Sequence, residues 1–119
     1  MAEIAVTTNS LDVIIENGVR VTKWETVTNG DTGAQLNVAD LPDKTVQVIG
    51  TFGTGGSINI EGSNDGTNWE ILTDIAGSAI TLTAAGMRTI TENPLYMRPN
   101  VTAGDGSTDL DVLVVSRGT

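Results

Sequence analysis

No run of ten or more residues in this chain places apolar side chains at helical spacing. Clusters of turn-forming residues instead divide it into segments of about 8–12 residues. Short segments of this kind bury an apolar face by pairing edge to edge and stacking in two layers, so the spacing predicts an all-β fold. The expected architecture is an antiparallel β-sandwich, jelly-roll or Ig-like, with about 8–9 short strands and no substantial helix.

The clearest strand signal lies between Gly56 and Trp69, GSINIEGSNDGTNW. Ile58 and Ile60 alternate with Ser57, Asn59 and Glu61, the period of a half-buried strand. Asn64, Asp65 and Gly66 then supply a turn, because these residue types tolerate positive φ. Trp69 and Ile71 resume on one face, Asn68 and Glu70 on the other. Asn64, Asp65, Gly66 and Trp69 are therefore assigned to a structural hairpin, with Trp69 packed in a core or an interface.

Similar patterns recur along the chain. Leu11 to Ile15 and Val19 to Val27 are expected strands around an Asn17-Gly18 hairpin signal. Val19 and Val21 share one face, which puts Trp24 on the other. Between Lys23 and Glu25, on the polar side, Trp24 is expected to be an exposed contact residue. Leu36 with Val38 suggests a short strand, and Thr45 to Phe52 alternates with Val46, Val48 and Phe52 inward. Ile80 with Leu82, Arg88 to Glu92, and Leu95 to Val101 follow. The last strand, Asp109 to Ser116, carries Leu110, Val112 and Val114 on one face and Leu113 and Val115 on the other. Such a strand is central and covered twice, or one of its faces meets another subunit.

Residues 1–10 read either as an N-terminal arm that orders on a partner or as a frayed terminus, ahead of a single domain over 11–119. On the first reading Ala2, Glu3, Ile4 and Val6 are partner contacts. No apolar run reaches the length of a membrane helix, and the first ten residues lack a signal-peptide pattern, so no membrane partner is expected.

Composition narrows the function classes. The formal net charge is −9 and the six basic residues are scattered, whereas phosphate binding needs them clustered, so no nucleic acid is expected. Neither His nor Cys occurs, which removes the commonest general base, the thiolate nucleophile and the usual zinc ligands. The two lysines, Lys23 and Lys44, sit in no catalytic motif. No catalytic residue, cofactor or metal site is assigned, and an enzyme is not expected. Asp105 to Asp111 offers oxygen ligands but lacks an EF-hand order, and Asp109 with Asp111 reads as a solvated strand edge.

Two segments carry a resemblance. Gly62-Ser63-Asn64-Asp65-Gly66-Thr67-Asn68-Trp69, followed by Asn93-Pro94-Leu95-Tyr96-Met97-Arg98-Pro99, resembles in part the hairpin and later strand of discoidin-type jelly rolls. Over most of residues 44–116 the chain is similar to small all-β virion proteins of tailed bacteriophages, through that hairpin and the Tyr96–Gly106 stretch YMRPNVTAGDG. This second resemblance implies a head decoration (cement) protein on the virion surface, made in the host cytoplasm. Its partners would be the major capsid protein and further copies of itself, a trimer before a dimer. Alternatives are a carbohydrate- or receptor-binding module of a fibre or surface protein, and a tail or neck structural protein.

Overall fold

The computed structural model describes residues 3–4, 6–8 and 19–118. The expected Leu11–Ile15 strand, the Asn17-Gly18 turn and the Ala2 contact lie outside them. The described residues form twelve strands and no helix: β1 Glu3–Ile4, β2 Val6–Thr8, β3 Val19–Thr28, β4 Thr32–Gly33, β5 Leu36–Asn37, β6 Asp43–Thr51, β7 Ser57–Ser63, β8 Glu70–Ile71, β9 Thr81–Leu82, β10 Gly86–Ile90, β11 Tyr96–Ala103 and β12 Asp109–Arg117. Five of these (β1, β4, β5, β8, β9) are only two residues long, which is why alternation alone suggested fewer strands.

The strands make two sheets. One has the order β10-β6-β12-β3-β2; the other runs β1-β4-β11-β7-β8, with β5 also on β11 and β9 also on β7. All pairings are antiparallel except β1 with β4. Each strand turns its apolar positions inward at period two, so the inner faces meet as one core. Val46, Val48, Leu110, Val112 and Val114 come from the first sheet, and Ile58, Ile60, Met97 and Val101 from the second, all fully buried. The expected inward set of β6 is confirmed, with Phe52 packed against the core from its rim.

Trp24 corrects the sequence reading. It is completely buried within the core, and its indole Nε1 donates to the Ala34 carbonyl at 3.0 Å. Val21 and Trp24 lie on opposite faces, as strand parity requires, but the face of Trp24 is the inner one. Opposite Asp111, β3 carries both Glu25 and Thr26, a bulge with Thr26 at φ 57°. That extra residue returns Val27 to the face of Trp24, where it too is fully buried.

Two further expectations change. β12 lies between β6 and β3, so Asp109 and Asp111 are on a central strand and not on an edge. Asp111 instead serves the bulge, its Oδ1 accepting the Thr26 amide at 3.0 Å. At the N-terminus, Glu3 and Ile4 pair with Thr32 and Gly33, while Val6 to Thr8 pair with Trp24 to Thr22. The described part of residues 1–10 thus extends both sheets, and Ile4 packs against the core.

Candidate functional site

The two segments that carry the family resemblance meet in space. β7 pairs with β11 along its length, from Ser63 opposite Tyr96 to Ile58 opposite Val101. The hairpin turn after β7 is therefore set beside the segment that leads into β11. Asn64 Oδ1 accepts the Leu95 amide at 3.0 Å and ties the two together.

The turn is held by its own polar groups. Asp65 accepts the Asn68 and Thr67 amides at 2.8 Å, the Asn68 side-chain amide at 2.7 Å and the Ser63 hydroxyl at 2.8 Å. These donors, the Asn68 and Thr67 amides foremost, hold its carboxyl well below the usual carboxylate range. Of the three turn residues, only Gly66 uses positive φ, at 77°. Asn64, Asp65 and Gly66 lie in the turn that joins β7 to β8.

Trp69 is half-buried, and its partner is a charge. The Arg98 guanidinium lies over the ring, 4.1 Å from the centroid, while its Nε donates to Glu61 at 3.0 Å. The other Glu61 oxygen accepts from Asn100 at 3.0 Å, so this buried carboxylate is fully engaged. Sequence reasoning missed this arrangement. Its signal was present: register places Arg98 directly opposite Glu61.

Between the turn and the Glu92–Pro94 segment lies an open cleft of about 500 Å³. Its floor is Gly62, Leu72 and Pro94. A Cβ on Gly62 would come within 2.6 Å of Leu72 Cδ2 and 2.9 Å of Pro94 Cγ, so the missing side chain is what keeps the floor closely packed. The walls carry three carboxylates, Asp65, Glu70 and Glu92, and the amides Asn64, Asn68 and Asn93. Burial raises the Glu92 carboxyl, but hydrogen bonds from the Thr73 hydroxyl at 2.6 Å and amide at 2.8 Å, its own backbone amide and the nearby Lys44 charge together leave a net lowering. Glu70 pairs with Gly62 through its backbone, and its exposed side chain has no hydrogen-bond or ion-pair partner among the described residues. Behind the wall, Lys44 is buried with its Nζ donating to Pro42 O and Asn93 Oδ1, each at 2.8 Å; burial pushes this amine down.

A second surface mixes apolar and polar side chains. On the outer face of the five-stranded sheet, Leu113 stands opposite Lys23 and Gln47, and Val115 opposite Val21 and Thr45. Met87, 53% exposed, and Ile49, 40% exposed, extend it. Ile75, 81% exposed at a loop tip turned by Asp74, stands apart from it and was not singled out in the sequence. Of the expected contacts, Glu3 is exposed and Ile4 half-buried, both away from that face.

Asp105 accepts from the Ser107 hydroxyl and amide and from the Thr54 amide, the hydroxyl being the largest cause of its lowered carboxyl. It braces two loops. Among the described residues no three His, Cys, Asp or Glu side chains gather as metal donors.

These features define an all-β, two-sheet sandwich of the cupin-like jelly-roll kind, filled by apolar side chains. The SPBc2 prophage-derived protein YomS has a similar structure, with a TM-score of 0.63 over 87% of this chain and 97% of that one, at 12% identity. An RmlC-like cupin protein from Desulfovibrio desulfuricans follows at 0.53 over 97% and 82%, with 9% identity. Peruvianin-I, a cysteine peptidase from Thevetia peruviana latex, reaches 0.50 over 95% and 60%, with 13% identity. No protein-family model matches the sequence, and no curated protein matches it. At such identities the similarity shows the fold alone.

Proposed function

We propose that this chain is a structural component of a tailed-phage virion, a decoration protein that binds the outside of the head and associates with further copies of itself. The observation that carries this reading is the outer face of the five-stranded sheet, where half-buried Leu113 and Val115 and the more exposed Met87 and Ile49 stand among Lys23, Gln47 and Thr45. A central strand apolar on both sides serves the core with one face and offers the other for association. The similarity of fold to a prophage-derived protein and the two resemblance segments, joined here into one surface, support it. A net charge of −9 favours solubility before assembly.

Two exposed tryptophans beside a groove would favour the carbohydrate-binding alternative, and Trp24 is buried. The tail or neck role shares the fold and differs in partner. Replacing Leu113 and Val115 together by Lys tests the reading. Smaller assemblies in solution and reduced pelleting with undecorated heads, at an unchanged melting temperature, are expected. Unaltered assembly and pelleting would contradict the assignment of this face.

A further inference from the structure

We propose that the interior of the sandwich, at the Ser116 end of β12, binds an ordered water molecule between the Thr22 hydroxyl, the Ser116 hydroxyl and the Arg20 Nε–H. Thr22 and Ser116 are completely buried. Their hydroxyl oxygens and Arg20 Nε are buried polar atoms with no hydrogen-bond partner among the described residues. A buried hydroxyl left dry costs free energy, and native interiors meet that cost with a bridging water.

Strand register gathers the three groups. Ser116 stands opposite Arg20 on β3 and opposite Lys44 on β6, while Thr22 stands opposite Val114, one inward position nearer Trp24. All lie on the inner face, because they fall at even spacing from Trp24, Val46 and Val112. One row across the three strands therefore reads Lys44, Ser116, Arg20, a short side chain between two long ones. Both long ones reach away from the row. Arg20 donates to the Asn37 carbonyl at 2.9 Å and meets Asp40 at 3.3 Å, and Lys44 donates to Pro42 O and Asn93 Oδ1, each at 2.8 Å. Facing sheets lie about 10 Å apart, more than a serine spans, and a water needs only about 10–15 Å³.

Charge selects water over an anion. Asp40 matches Arg20, and the carboxylates of Asp43 and Glu92 stand near the Lys44 charge, so no unmatched cation remains to offset the desolvation of a halide. Water accepts from Arg20 Nε–H and from one hydroxyl and donates to the oxygen of the other, a full set of partners for a buried molecule.

The test is a crystal structure of the wild-type protein grown from sodium bromide, together with the melting temperatures of Thr22→Val, Ser116→Ala and the double variant. Density for one water about 2.7–3.2 Å from Thr22 Oγ1, Ser116 Oγ and Arg20 Nε, with no bromide anomalous signal there, is expected. Each single variant strips a partner from the water and should melt about 3–6 °C lower, and the double should fall by less than the sum. If the hydroxyls were dry, an apolar replacement would remove a desolvation cost and raise the melting temperature. A bromide peak at the site, an absence of density between the three atoms, or a single variant that melts higher than wild type would each overturn the proposal. Should the variants fail to fold, the wild-type density decides.

Discussion

Arg98 lies 4.1 Å above the ring of Trp69 and at the same time donates to Glu61 at 3.0 Å, so one guanidinium joins β11, β7 and the residue that leads into β8. Glu61 is 8% exposed, and without Arg98 it would keep Asn100 alone as a partner. Arg98→Met is therefore expected to cost about 1–3 kcal/mol in urea denaturation, chiefly by leaving a buried carboxylate half-satisfied. Arg98→Met with Glu61→Gln should recover part of that loss. A double variant as unstable as the sum of both singles would show that the pair is not coupled.

Trp24 fills the centre of the sandwich, and its burial predicts two distinct fluorescence populations. Trp24→Phe should remove the component shielded from acrylamide and leave the half-buried Trp69 as the quenchable one. Trp24→Ala should cost about 3–5 kcal/mol through the cavity it leaves. Trp24→Phe should cost less, since it keeps most of the volume and loses the bond to Ala34.

The bulge stores strain in an unusual residue. Thr26 is β-branched yet sits at φ 57°, a region that Asn and Gly tolerate far better. Thr26→Asn is expected to raise stability by about 0.5–1 kcal/mol while retaining the amide bond to Asp111. Chemical denaturation of Thr26→Asn beside Thr26→Val checks it. A stabilised Val variant would contradict the strain argument.

Acid should loosen two turns first. The carboxyls of Asp65 and Asp105 are both held well below their unfolded values, by the Asn68 and Thr67 amides and by the Ser107 hydroxyl with the Thr54 amide. A depressed folded value means stability that is fully present above the unfolded carboxylate range, near about 3.9, and lost as pH falls below it. Melting temperature should therefore fall on acidification below about pH 4, modestly because both carboxylates are solvent-screened. Asp65→Asn and Asp105→Asn should each flatten that slope. An unchanged slope in both would show that other groups govern acid sensitivity.

Much of the sandwich was readable because β6, β7 and β11 alternate cleanly and β12 stands out as an apolar run, and each was placed within a few residues. Alternation becomes ambiguous where a strand is apolar on both sides. In β3 the valines at 19 and 21 face outward and Trp24 inward, and nothing local says which face meets the other sheet. The bulge at Thr26 compounds this by resetting the period. The parallel pairing of Glu3–Ile4 with Thr32–Gly33 joins residues far apart in sequence through strands too short to show a period. The cleft was hidden for a related reason: its floor unites Gly62, Leu72 and Pro94, and its two walls come from segments that the sequence singled out separately.

The most direct measurement of the proposed role is a titration of undecorated tailed-phage heads with the purified protein, read by co-sedimentation. Saturable binding at a fixed number of copies per capsomer, with heads that then withstand higher temperature, is the predicted result. Protein that stays in the supernatant at every concentration, while binding a polysaccharide saturably, would contradict the account.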